Sequence, residues 1–83
     1  MEIREAQELI KKLYFERDSA RGLFATFTWL IEEIGELAEA VLKSDYKALN
    51  EEIADVFAWL LSIANLVGVD VDEAFRRKYA TSS

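Results

Sequence analysis

The chain has 83 residues, is 52% hydrophobic and carries a net charge of -6, so it is expected to form one domain over 1–83, with a core small enough to favour self-association. It contains no Cys and no His, which excludes disulfides, thiolate chemistry and the usual zinc and di-iron ligand sets; any metal must be held by oxygen. The acidic balance, with a pI near 4.6, argues against a module that coats nucleic-acid phosphates.

With no Pro and only three Gly, the chain reads as all-α, with four helices. Ile3, Leu9, Ile10 and Leu13 predict a first amphipathic helix ending near Phe15, and "ERDSARG" reads as a break or bend. The opening "MEIREAQELI" is acidic and amphipathic, unlike a signal peptide. A second helix is predicted from about Arg21 to Lys43, with Leu30, Ile34, Leu37 and Val41 as its apolar stripe. "KSDYK" supplies a Ser or Asp cap for a third helix, whose stripe is Leu49, Ile53, Val56, Leu60, Ile63 and Val67.

Gly68 suits a C-terminal cap, and Asp70 with Glu73 three residues on opens a short fourth helix to about Tyr79. The tail "ATSS" is expected to fray. The richest apolar window, Val56 to Val69, is shorter than a bilayer span and contains Ser62 and Asn65. No membrane association is expected, and a cytoplasmic location is.

The stretch "IEEIGELAEA" poses a charge problem, because no Lys or Arg lies between Gly22 and Leu42 to answer Glu32, Glu33, Glu36 and Glu39. At 100° per residue, Glu33 and Glu36 fall at roughly 300° and 240° from Leu30, and Glu52 and Asp55 at roughly the same angles from Leu49. Both central helices therefore carry an acidic flank. A short turn near Ser44 makes the pair antiparallel, so positions whose numbers add to one constant lie level. Glu33 then faces Asp55, and Glu36 faces Glu52.

Four carboxylates at the edge of an apolar seam repel one another, and helix three has no base from Ala48 to Phe75. The alternative of an ordinary solvated acidic face explains the first motif alone but not the matched second pair. A divalent cation on Glu33, Glu36, Glu52 and Asp55 is the economical answer, and an all-oxygen set points to Mg²⁺, with Mn²⁺ able to substitute. Glu39 has Lys43 four residues on and reads as a surface pair. Trp29 and Trp59 are also level on the acidic flank, either as packing or as an apolar wall for a nucleobase, with Thr26 and Ser62 one turn further. Phe24, Phe27 and Phe57 point elsewhere by phase and read as core.

"EEIGE" followed by "EIAD" resembles the EExxE and ExxD signature of the MazG-like all-alpha nucleoside triphosphate pyrophosphohydrolases, a group that includes dCTP pyrophosphatases and dimeric dUTPases. The resemblance runs from about "FERDSARG" through "GVDVDEAFRRKY". It implies a helical homodimer, or a dimer of dimers as a homotetramer, that cleaves a nucleoside triphosphate between its α and β phosphates. Glu33 and Glu36 match metal ligands of the first motif, and Glu52 and Asp55 those of the second. Glu32 and Glu51 match adjacent acids that support the ligands or act as base, and Lys78 matches a phosphate-binding Lys. Arg76, Arg77, Lys47, Arg21 or a partner subunit can also supply phosphate grip.

With no His, the base must be a carboxylate or metal-bound hydroxide; Glu33 or Glu36 can orient the attacking water, with Glu32 as a secondary candidate. Two competing readings are a non-catalytic helical dimerisation or partner-binding module and, within the same broad fold, a phosphoribosyl-ATP pyrophosphatase.

Overall fold

In the computed structural model, which describes residues 1–80, the chain forms four helices: α1 (Ile3–Arg21), α2 (Leu23–Lys43), α3 (Tyr46–Val67) and α4 (Val71–Tyr79). No strand occurs among the described residues. The tail beyond Ala80, expected to fray, lies outside them.

The first helix does not stop near Phe15. "ERDSAR" continues it to Arg21, because the segment has no Pro and its Asp18 turns inward to a buried position beside Arg21 (3.5 Å). The break falls one residue later, at Gly22, whose φ of 95° and ψ of 163° belong to a region that only glycine occupies readily. The Gly22 N–H still bonds to the Asp18 carbonyl (2.9 Å), and its own carbonyl accepts from the backbone N–H of Thr26 (3.1 Å) and the Thr26 hydroxyl (2.8 Å). One residue thus closes α1 and opens α2.

The turn between α2 and α3 divides the expected capping between two residues. Ser44, left-handed at φ 52°, closes α2, and the Asp45 carboxylate accepts from the Ala48 N–H (3.1 Å) to open α3. Gly68 (φ 76°) closes α3, and Asp70 caps α4 by accepting from the Glu73 N–H (3.1 Å). That bond, desolvation notwithstanding, and the Arg4 guanidinium hold the Asp70 carboxyl below its ordinary range.

α3 is the central element, with α2 antiparallel along one side and α1 packed across another. α4 turns away from α3 by 99° and is tied to α1 by polar groups. Gln7 donates to Asn65 Oδ1 (3.1 Å) and to the Val69 carbonyl (2.7 Å) and accepts from the Val71 N–H (2.9 Å), while Arg4 pairs with Asp70 and Asp72. No single described helix is long and apolar enough to cross a membrane.

The packed seam is rotated from the predicted stripes. On α2 the inward positions are Thr26, Leu30, Glu33, Leu37 and Ala40, spaced four and three residues apart, whereas Ile34 and Val41 are exposed. On α3 Glu52, Val56, Trp59 and Ile63 follow the same repeat, while Ile53 and Leu60 are exposed. Phe24, Phe27 and Phe57 are exposed as well, not core. The buried residues of α2 and α3 are instead Leu30, Ala40, Leu61 and Ala64, with polar Thr26 and Ser62. α3 is covered by both α2 and α1, with Leu61 fully buried, yet it and α2 each keep a further apolar face that nothing among the described residues covers.

Gly22→Ala is expected to destabilise the fold by about 1–3 kcal/mol, because no Cβ suits its backbone angles even though space is open around it. Gly35→Ala, in the middle of α2 and equally unobstructed, is expected to stabilise it by about 1 kcal/mol. Urea unfolding midpoints check both, and equal shifts would contradict a strained joint at Gly22.

Candidate metal centre

The seam repeat brings the carboxylates together. Oxygens of Glu33, Glu52 and Asp55 all lie within 4.8 Å of one another, and so do those of Glu32, Glu33 and Glu36. Glu33 belongs to both groups. Glu33 and Glu52 occupy half-buried seam positions, whereas Glu36 and Asp55 are exposed at its edge. The acids are thus not all on a flank, as the helical angles suggested; two are built into the packed interface.

No ion pair joins Glu33, Glu36, Glu52 or Asp55 to a base among the described residues. Burial, followed by the charge and hydrogen bonding of Glu36 and the charges of Asp55 and Glu52, pushes Glu33 up to about 7. Glu52 is also raised, by desolvation first and then by Glu36. Glu32 shifts the same way, through desolvation and the neighbouring Glu36. One oxygen of Glu33 and one of Glu52 are buried with no hydrogen-bond partner. Two orphaned anionic oxygens in a cluster of acids are a donor set suited to a hard divalent cation. Glu39 stands apart, bonded to Lys43 (2.7 Å) and held below the ordinary carboxylate range by it.

The level aromatics also meet: Trp29 and Trp59 stack with ring centroids 6.3 Å apart and planes 17° from parallel. Trp59 is further engaged by Arg21 of α1, whose guanidinium carbon lies 5.2 Å from the ring centroid. Thr26 and Ser62, one turn on, are buried and belong to the packing. Lys78 lies in the last turn of α4 with its ammonium 5.4 Å from the centre of the Tyr79 ring, and no ion pair links it to the hairpin acids. Arg76 and Arg77 are committed to Asp72 (2.9 Å) and Glu73 (2.7 Å) on their own helix.

α1 adds residues that the sequence reading passed over. A cleft of about 130 Å³ beside the acids is lined by Tyr14, Arg17, Asp55, Ala58, Trp59 and Ser62. Behind it Asp18 is 2% exposed, with Arg17 at 3.9 Å and Arg21 at 3.5 Å. The available signal was periodicity: Tyr14, Asp18 and Arg21 share one helical face once "ERDSARG" is continued as helix.

A four-helix chain whose central hairpin gathers paired carboxylates, without bases to neutralise them, is defined by its fold and site as an all-helical protein with an acidic cluster that could hold a metal through oxygen. Residues 22–80 match the family described as the MazG nucleotide pyrophosphohydrolase domain, which is most of the chain, and the protein belongs to that family. A protein of Cyanophage S-2L described as a dATP/dGTP diphosphohydrolase is 47% identical over 55 residues, covering 66% of this chain and 49% of the relative. The chain therefore spans about half the length of that relative.

Raised carboxyl pKa values bind protons more tightly in the folded than in the unfolded state, so their stabilising contribution is present at low pH and lost as pH rises through the folded value. Between pH 5 and 8 in EDTA, Tm is expected to fall by the equivalent of about 1–3 kcal/mol as Glu33 ionises. The lowered Glu39 and Asp70 act only at more acidic pH. Glu33→Gln is expected to flatten the slope in scanning fluorimetry; an unchanged slope would contradict the assigned strain.

Proposed function

We propose that the protein is a Mg²⁺-dependent hydrolase that cleaves nucleoside triphosphates between the α and β phosphates, giving nucleoside monophosphate and pyrophosphate. The observation that carries this reading is the unneutralised cluster of Glu33, Glu36, Glu52 and Asp55, with its two orphaned buried oxygens. Family membership supports the reaction class, and the name of the phage relative supports deoxypurine triphosphates as the first substrates to try.

In this reading the four carboxylates hold Mg²⁺, or Mn²⁺ in its place, which when bound supplies charge neutralisation to the phosphates and lowers the pKa of water. Glu33 and Glu36 would orient the attacking water, one of them accepting its proton. Glu32, in contact with both, is the reserve base. Exposed Trp29 and half-buried Trp59 supply an apolar wall for the base. The resemblance assigns Lys78 a phosphate contact.

The uncovered faces of α2 and α3 support a second copy as partner. Ile31, Ile34, Val41, Ile53, Phe57 and Leu60 are all exposed, more large apolar surface than an isolated small domain ordinarily presents. A homodimer, or a homotetramer made from two of them, buries these faces together.

Pyrophosphate release from a panel of nucleoside triphosphates, with Mg²⁺, Mn²⁺ or EDTA, tests the reaction. Release is expected with either metal and none with EDTA. Glu36→Gln is expected to lower kcat by at least about 100-fold while helicity by circular dichroism is kept. Trp59→Ala is expected to raise KM more than it lowers kcat. Metal-independent release, or full turnover by Glu36→Gln, would overturn the assignment.

A further inference from the structure

A cluster of carboxylates repels the phosphates it is proposed to process, so a cation must meet the part of the substrate that extends beyond the metal. α2 and α3 offer none between Gly22 and Leu42 or between Ala48 and Phe75. Two cations border the acids from outside those stretches. Lys43, in the groove lined by Glu36 and Glu52, is committed to Glu39 at 2.7 Å. Arg17, on α1, lines the cleft that contains Asp55 and Trp59.

Arg17 is placed rather than free. Its guanidinium carbon lies 4.4 Å from the centroid of the Tyr14 ring, and its Nε is 3.9 Å from the buried Asp18 carboxylate. That distance is too long for a hydrogen bond, and the Arg17 side chain is 55% exposed. Its N–H groups form no hydrogen bond among the described residues, and a guanidinium is well suited to grip phosphate oxygens in pairs. Arg21, by contrast, is only 22% exposed and lies over Trp59 and beside Asp18, a positioning residue for the aromatic wall.

We propose that Arg17 is a substrate-binding residue that receives the phosphates leaving as pyrophosphate, held at the cleft mouth by Tyr14 and Asp18. This rests on the hydrolase reading above and adds to it a residue from α1, outside residues 22–80 that match the family description.

Isothermal titration with inorganic pyrophosphate and Mg²⁺, and separately with dAMP, tests the assignment at fixed ionic strength. Wild type is compared with Arg17→Gln, Arg17→Lys and Lys12→Gln, the last removing an equal charge from an exposed site on the same helix. Arg17→Gln is expected to weaken pyrophosphate binding at least about tenfold, with Arg17→Lys intermediate. Lys12→Gln is expected to stay within about twofold, as is dAMP binding by every variant.

Unchanged pyrophosphate affinity in Arg17→Gln, an equal loss in Lys12→Gln, an equal loss for dAMP, or no pyrophosphate binding by wild type would each overturn the proposal. Hydrolysis by wild type reports on the enzyme reading separately. If hydrolysis is intact while Arg17→Gln binds normally, only the Arg17 assignment falls; if hydrolysis is absent, the pyrophosphate titration still decides Arg17.

Discussion

Repulsion among carboxylates within a packed helical seam is the constraint on which the rest of the structure depends. Glu33 and Glu52 occupy positions where the four-three repeat of α2 and α3 would ordinarily place apolar side chains. Burial and mutual charge raise both, and each leaves an oxygen without a partner. A seam optimised only for stability would carry Leu there. Keeping acids costs stability, and a divalent cation held there would offset that cost by supplying the charge both helices lack.

The surrounding elements follow from holding that seam open at one level. The turn at Ser44 and Asp45 fixes the antiparallel register, which sets Glu33 against Asp55 and Trp29 against Trp59. α1 closes the third side: its Arg21 covers Trp59, and its Asp18 anchors the end of the helix before Gly22 redirects the chain. Trp59, the Asp55 carboxylate and Arg17 of α1 thus border one small cleft. The hairpin also keeps exposed apolar residues, Ile31, Ile34, Ile53 and Leu60 among them, which in the proposed reading serve assembly while the acidic cluster serves catalysis.

Much of this was legible in the sequence because helical hairpins obey simple arithmetic. The level positions correctly paired Glu33 with Asp55 and Trp29 with Trp59, and the capping residues Asp45, Gly68 and Asp70 stand where their chemistry predicts. Two features were not legible. "ERDSARG" looks like a loop by composition, yet the helix runs through it to Arg21 with Asp18 buried, and burial against other elements leaves little local trace. The angle of each helix was also misread: Ile34, Val41, Ile53 and Leu60 form as regular a stripe as the residues that pack, and periodicity alone does not say which of two apolar faces meets its own chain. That error hid the half-buried character of Glu33 and Glu52.

The claim that the seam carboxylates are a cation site is tested most directly by titrating the protein with Mn²⁺ and following the free ion by electron paramagnetic resonance. Saturable binding is expected, tighter at pH 8 than at pH 6 because protons on Glu33 compete with the ion, and lost on Glu52→Gln. Binding absent from the wild type, or unaltered by Glu52→Gln, would contradict the account and leave the acids as a solvated helix surface.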